Sequence, residues 1–157
     1  FSENAVEKAL DALRNGADII TDTNMALSGI NKKSLHALGG EAHCFMSDPD
    51  VAAEAKRRGI TRAMVSMEKA ARLSSDNLIF AIGNAPTALI QLEQLIREHQ
   101  LAPKLIIGVP VGFVNVVEAK ELILQSGVPC IVARGNKGGS NIAAAICNAL
   151  LYQLYRA

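Results

Sequence analysis

Residues 77–89, NLIFAIGNAPTAL, are the part of the sequence that most constrains the fold. Residues 78–82 are apolar without alternation, which is typical of a strand that helices cover on both faces. Gly83 permits a sharp turn, and Pro86 has the fixed φ that the first turn of a helix tolerates. This pattern predicts a strand, a turn and a helix. The free backbone N–H groups after Asn84 should then face the crevice at the strand's carboxyl end, where α/β sheets bind ligands and a helix start favours an anion.

Four further strands are predicted along the chain, and helical segments separate them. The predicted strands are residues 18–21, 41–46, 105–109 and 129–133. This alternation favours short right-handed crossovers between parallel neighbours. We therefore predict a three-layer α/β/α fold with a mostly parallel sheet of about five strands. A chain of 157 residues, half of them hydrophobic, is long enough for a single domain over residues 1–157.

Several helix starts are predicted from capping residues. Asn4 and Asn115 each precede a glutamate by three residues, which is the spacing of a capping box. Asp48, which proline follows, and Thr61 are predicted to cap two other helices. We expect residues 22–25, which come directly after the first strand, to be a loop dense in side-chain acceptors.

Charge and cysteine content narrow the class of protein. Lys and Arg number 16 against 15 for Asp and Glu, so that the chain lacks the basic field of a nucleic-acid-binding protein. The three cysteines lack CxxC spacing and fall in apolar segments, which predicts buried thiols and favours the reducing cytoplasm. No apolar run approaches about 20 residues and no charged leader precedes one, so that neither a membrane span nor a secretory signal is predicted.

Residues 134–140, RGNKGGS, form a glycine-rich stretch. Its glycines would leave backbone N–H groups free for an anion, and Lys137 adds a positive charge. The stretch lacks the Lys–Ser/Thr pair that closes a Walker loop, and no G-x-G-x-x-G motif opens a helix. Three interpretations stay open: a nucleotide or phosphate site at residues 135–140, a tight crossover without a ligand, and an anion site for a ligand rich in carboxylates, which we prefer.

The histidines do not suggest a metal centre. His36 falls on a short polar helix and His99 at a helix end, where solvent-exposed imidazoles are common. His43 lies in an apolar strand, where a structural role is more common than a catalytic one. No metal-ligand spacing joins the three, so that we predict no metal site.

Three other charged groups each allow two roles. Asp22 and Asp48 would form a carboxylate pair for acid–base chemistry if their strands were adjacent, but capping is the more common role at such positions. Arg62 would either clamp a ligand carboxylate or lie on the surface at a helix start. The residues alone therefore predict an α/β domain with a polar, mildly cationic edge where its strands end, and they do not identify a reaction.

Several motifs in register resemble the precorrin-8X methylmutase family of cobalamin biosynthesis. They are residues 22–25 with 28–30, 47–49 through 59–62, 83–89, 108–115 with 118–120, and 134–140. The resemblance implies an isomerase that moves a methyl group from C-11 to C-12 of precorrin-8X or its cobalt form, with no redox or nucleotide cofactor. It also implies a homodimer and a tetrapyrrole substrate rich in carboxylates. Such a rearrangement depends on orientation and an acid more than on a nucleophile.

The resemblance also assigns site residues. Those expected to line the corrinoid are Thr61, Arg62, Asn84, Ala85, Pro86, Thr87, Arg134, Gly135, Lys137, Gly138 and Ser140. The family's catalytic histidine lies upstream of the position of Phe1, and His43 is not its counterpart. We therefore expect the chain to lack the family's N-terminal segment, and to bind the corrinoid but hardly convert it. A nucleotide- or phosphate-binding α/β enzyme and a non-catalytic corrinoid-binding module are the alternatives.

Overall fold

The computed structural model describes residues 1–156. The helices and strands in this part of the chain follow one another as α1 (Ala5–Arg14), β1 (Asp18–Thr21), α2 (Asn24–Gly29), α3 (Lys32–Ala37), β2 (Ala42–Cys44), α4 (Pro49–Arg58), α5 (Arg62–Ala71), β3 (Leu78–Ile82), α6 (Pro86–Arg97), β4 (Leu105–Gly108), α7 (Val116–Leu124), β5 (Cys130–Val132) and α8 (Ser140–Leu154). The strands form one sheet in the order β2-β1-β3-β4-β5, and every neighbouring pair is parallel. The predicted parallel α/β fold is confirmed.

Alternate residues of the strands pack against two different layers of helices. Ile19, Ile79 and Ile107 face α1, α2 and α8. Phe80 and Ile106, on the opposite face, pack against α5, α6 and α7. A fully buried side chain of this size contributes roughly 1.5–3 kcal/mol to stability, so that both faces of the sheet need their helices. This accounts for the unbroken apolar runs in the central strands.

Hydrogen bonds join Ser2, which precedes α1, to strand β5 at the edge of the sheet. The backbone N–H of Ser2 donates to the carbonyl oxygen of Cys130 at 2.9 Å, and the N–H of Cys130 donates to the Ser2 hydroxyl at 2.8 Å. α8 packs against both α1 and α2. One apolar face of the sheet is therefore covered by helices from the beginning and the end of the described chain.

Some local predictions are wrong. Asn4, Asn115 and Asp48 make no side-chain cap hydrogen bond, and the first two have left-handed backbone conformations. Residues 22–25 are not all loop, because Thr23 accepts a hydrogen bond from the N–H of Ala26 and starts α2. The cap at Thr61 is confirmed by its hydrogen bond from the Met64 N–H.

Two of the three cysteines follow the sequence prediction of buried thiols, whereas Cys44 is only half-buried. All three thiols are free, and Cys130 and Cys147 are buried in the two apolar layers. Burial raises the pKa of the Cys147 thiol to about 12, so that it acts as a small hydrophobic side chain. Across residues 1–156, every helix is too short or too polar to cross a membrane.

The strand order creates a crevice at the centre of the sheet. β1 and β3 are neighbours. After β1 the chain continues to β2 on one side of this pair, and after β3 it continues to β4 on the other side. Ligands of such sheets bind beside the carboxyl ends of the two strands where the order reverses. We call the surface formed by the segments after β1, β3, β4 and β5 (residues 21–25, 83–87, 109–115 and 133–142), together with residues 61–62 at the adjoining start of α5, the carboxyl rim.

Candidate functional site

Asp22 directly follows β1 and lies beside the central crevice. Its side chain is fully buried. Oδ1 accepts the N–H of Gly83 at 2.9 Å, and Oδ2 accepts those of Asn84 at 2.8 Å and Ala85 at 2.6 Å. Burial raises the pKa of the Asp22 carboxyl, and the three N–H donors oppose this shift. The N–H of Ala85, which was predicted to be free for a ligand anion, is therefore not free, since the chain supplies the carboxylate itself.

Asp22 and Asp48 do not form the carboxylate pair that the sequence left open. The Asp48 carboxylate is bound by the ammonium of Lys69 at 2.6 Å, while both oxygens of Asp22 are taken by the loop after β3. Lys69 also binds Asp50 at 2.9 Å. This ion-pair cluster links α4 to α5, and it has a structural role.

The starts of α5 and α6 meet at the rim. The hydroxyls of Thr61 and Thr87 are 3.0 Å apart and share a hydrogen bond. Arg62 is the first residue of α5, and its exposed guanidinium makes no ion pair or side-chain hydrogen bond within residues 1–156. Asn84 is exposed beside Pro86, the first residue of α6. The structure thus brings together two of the three predicted groups of site residues.

The glycine-rich loop, residues 134–140, adjoins these two groups. A Cβ atom on Gly83 would lie 2.6 Å from Cα of Ser140, so that only glycine permits this approach. The hydroxyls of Thr23 and Ser140 are 2.8 Å apart. The loops after β1, β3 and β5 are therefore in direct contact, and the third predicted group joins the other two.

The ammonium of Lys120 binds the inner side of the glycine-rich loop. Its side chain is fully buried, and its ammonium donates to the carbonyl oxygens of Gly135 at 2.7 Å and Lys137 at 2.9 Å. Burial lowers the pKa of Lys120. Sequence reasoning missed this role, although the signal was there: Lys120 falls in the helical period of Val116 and Ile123, on the buried face of α7.

Other contacts brace the same loop. The N–H of Gly112 donates to the carbonyl oxygen of Asn136 at 3.0 Å, and the N–H of Gly139 donates to that of Val109 at 2.9 Å. Arg134 is exposed, and its Nε lies 3.1 Å from a carboxylate oxygen of Glu121 on α7. Arg134 is thus not free for a ligand in this structure, in contrast to Arg62 and to the exposed Lys137.

Large apolar side chains are exposed on the same rim. Phe113 is 88% exposed, Val114 80% and Met25 70%, and Val111 and Ile142 are also exposed. Together with the free cations of Arg62 and Lys137, they give the rim both apolar and positively charged surface. Such a surface fits a ligand that has an apolar face and a carboxylate periphery.

None of the three histidines belongs to the rim. Nε2 of His43 lies 3.4 Å from a carboxylate oxygen of Asp18, and the ring stacks on Phe45. His36, on α3, and His99, after α6, are exposed. Among residues 1–156, no three His, Cys, Asp or Glu side chains converge as ligands of a metal ion would. The rim can therefore orient a ligand by charge, hydrogen bonds and apolar contact, but it contains no imidazole acid.

Comparisons with known proteins agree on one family. The model of the precorrin-8X methylmutase family matches residues 1–153. The cobalt-precorrin-8 methylmutase of Salmonella typhimurium is 50% identical over 157 residues, which are all of this chain and 73% of that protein. The precorrin-8X methylmutase of Pseudomonas aeruginosa is 39% identical over 152 residues, 96% of this chain and 72% of that one. The crystal structure of precorrin-8x methyl mutase from Thermus thermophilus superposes with a TM-score of 0.86 at 37% identity, covering 97% of this chain and 74% of that chain.

Proposed function

This chain belongs to the precorrin-8X methylmutase family, and we propose that its carboxyl rim is the surface that binds the precorrin-8 macrocycle. The protein is an isomerase of cobalamin biosynthesis, a methylmutase. The observation that carries the proposal is that exposed apolar side chains and unpaired cations lie on one rim. A tetrapyrrole acid presents the matching chemistry, since its ring is apolar and its side chains end in carboxylates.

The residues that we propose to line the macrocycle are those of the sequence prediction. Thr61, Arg62 and residues 84–87 form one wall, and residues 134–140 form the other. In this arrangement the protein binds and orients the substrate. Correct orientation supplies much of the rate acceleration of a rearrangement. The relatives at 50%, 46% and 45% identity are named for the cobalt substrate, and we propose the cobalt form as the substrate here.

A nucleotide site is not favoured. Asp22 already occupies the N–H groups of Gly83 and Asn84 at the point where the strand order reverses, and this is where sheets of this kind hold phosphate. Parallel titrations with cobyrinate, hydrogenobyrinate, ATP and NAD test the proposal. We expect only the two corrinoids to bind, and the cobalt form to bind more tightly. Binding of ATP or NAD without a corrinoid would overturn the proposal.

Arg62→Ala is expected to weaken cobyrinate binding by about tenfold, because a charge-assisted hydrogen bond to a ligand carboxylate is lost. Calorimetric titration of both proteins measures the effect. Arg97→Ala is the matched control, since Arg97 is also exposed on a helix but pairs with Glu93 at the opposite end of α6. Equal affinities for the Arg62 variant and the control would argue against Arg62 as a ligand residue. For Arg134→Ala we expect a smaller loss, because Glu121 already shares that guanidinium.

We also propose that the protein is a homodimer. An apolar groove of about 420 Å³ lies along α8 and the edge strand β5, and Phe1, Ile131, Ile146 and Leu150 are among its lining residues. An apolar groove beside a sheet edge is a surface that a second copy can cover. Sedimentation velocity at tens of micromolar should show a dimer, and a monomer alone would contradict the proposal.

The three free thiols support a reducing compartment, and we propose the cytoplasm.

A further inference from the structure

The glycine-rich loop contains two backbone N–H groups that point away from a buried charge. We propose that the N–H groups of Asn136 and Gly138 form a carboxylate subsite, which Lys120 holds open from beneath as a positioning residue. The identity of the ligand, a carboxylate of the macrocycle, rests on the proposed function. The geometry of the subsite does not depend on it.

The direction of the two N–H groups follows from the geometry of the peptide unit. In a planar trans peptide, the carbonyl of one residue and the N–H of the next point in opposite directions, and none of the described peptides is cis. The carbonyl oxygens of Gly135 and Lys137 point inward to the Lys120 ammonium, at 2.7 and 2.9 Å. The N–H groups of Asn136 and Gly138 belong to these same two peptide units and therefore point outward.

Neither N–H has an acceptor in the protein. Within residues 1–156, Asn136 and Gly138 donate no backbone hydrogen bond, to main chain or side chain. Their neighbour Gly139, in contrast, donates to Val109. Asn136 is exposed and Gly138 is half-buried, so that a ligand can reach both. Both N–H groups therefore lie on the outer side of the loop without a protein acceptor, and backbone N–H groups of this kind bind anions.

The charge beneath the loop favours an anion on its outer side. No carboxylate contacts Lys120 in the described chain, and its acceptors are carbonyl oxygens. The nearest acidic residues along α7 do not neutralise it, since Glu118 is exposed and Glu121 pairs with Arg134. A buried ammonium without a counter-ion is costly. A carboxylate bound across the loop would offset that cost, so that ligand charge and Lys120 should act together.

The experiment compares two ligands on two variants. Cobyrinate and its fully methyl-esterified form have the same ring, but only the acid carries carboxylates. For Lys120→Met we expect affinity for the acid to fall by at least about tenfold, with the affinity for the ester little changed. Lys104→Met is the control, because this lysine is exposed directly before β4, at the end of the sheet opposite the rim. Its loss should be about threefold or less for either ligand.

Each result decides the inference. Equal losses for acid and ester would mean that Lys120 only maintains the shape of the loop, and would overturn it, as would an unchanged affinity for the acid. If the wild-type chain binds neither corrinoid, the proposed function fails, and the subsite is then decided by citrate alone. Citrate should shift the amide NMR signals of Asn136 and Gly138 in the wild-type chain, but not those of Gly59 and Gly127.

The citrate titration needs no variant, and it therefore also decides the case in which Lys120→Met does not fold, as judged by thermal unfolding. Absence of shifts at Asn136 and Gly138 overturns the subsite. Inorganic phosphate is titrated in parallel. If phosphate produces the same shifts at much lower concentration than citrate, the assignment to a carboxylate is overturned in favour of a phosphate.

Discussion

Asp22→Asn is expected to lower the free energy of unfolding by about 2–4 kcal/mol, because it leaves buried N–H groups without an acceptor. Asparagine has one carbonyl oxygen in place of two carboxylate oxygens, and its NH₂ group would face N–H donors of the same polarity. Gly83, Asn84 and Ala85 all depend on the two oxygens of Asp22. The loop after β3 should then lose its order, and corrinoid affinity should fall together with stability.

Urea denaturation of the two proteins measures the change in stability. Asp48→Asn is the matched control, since it is the same substitution at the loop after the next strand in sequence. The Asp48 carboxylate is 35% exposed and bound to Lys69, and an ion pair that water reaches contributes little. We expect a much smaller loss for this control. Equal losses in both variants would show that Asp22 has no special role at the rim.

The 157-residue chain is expected to bind cobyrinate but to convert the precorrin about 10²–10⁴-fold more slowly than the Salmonella relative, because its rim contains no imidazole acid within residues 1–156 and a general acid contributes a factor of this size. Binding draws on groups spread over several loops of the rim. Proton transfer depends on one positioned acid, and none of His36, His43 and His99 belongs to the rim. The Salmonella protein is 50% identical to this chain over 157 residues, so that it is a suitable reference.

Visible absorption follows the reaction, because migration of the methyl group changes the conjugation of the macrocycle. Both proteins are used in excess over the substrate, so that a single turnover is observed and product release does not limit the rate. Affinities come from titration with the product. Conversion by the 157-residue chain at the full rate of the relative would contradict the prediction. The acid would then have to be a group of this chain, and His43 and Asp22 would be the first candidates to substitute.

The order of strands and helices was predictable because each element carries its own local signal. The apolar run of β3, Gly83 and Pro86 lie next to one another in the sequence, and the structure has the strand, turn and helix that they predict. The parallel sheet followed from the alternation of elements. Position along the chain also placed residues 84–87 and 134–140 at one edge of the sheet, since the loops that follow parallel strands lie at the same edge.

The partners of the rim groups were not predictable, because they are distant in sequence. Asp22 and Gly83 are 61 positions apart, and Lys120 and Gly135 are 15 apart. Local pattern shows that N–H groups at a helix start lack partners within the helix, but it cannot show which side chain from another element accepts them. The two Asn caps failed for a related reason. A capping box and a left-handed turn favour the same residue type, and the backbone of Asn4 and Asn115 adopts the turn.

The contact between Ser2 and Cys130 and the packing of α8 on α1 and α2 have a consequence for synthesis on the ribosome. α1 is synthesised before α8, yet much of the surface that it packs against belongs to α8, which follows it by more than a hundred residues. Until then, one apolar face of the growing sheet lacks its last helix. Folds that depend on such distant contacts form slowly, and their incomplete states aggregate. The nascent chain should therefore depend on chaperones until residues 140–154 have left the exit tunnel.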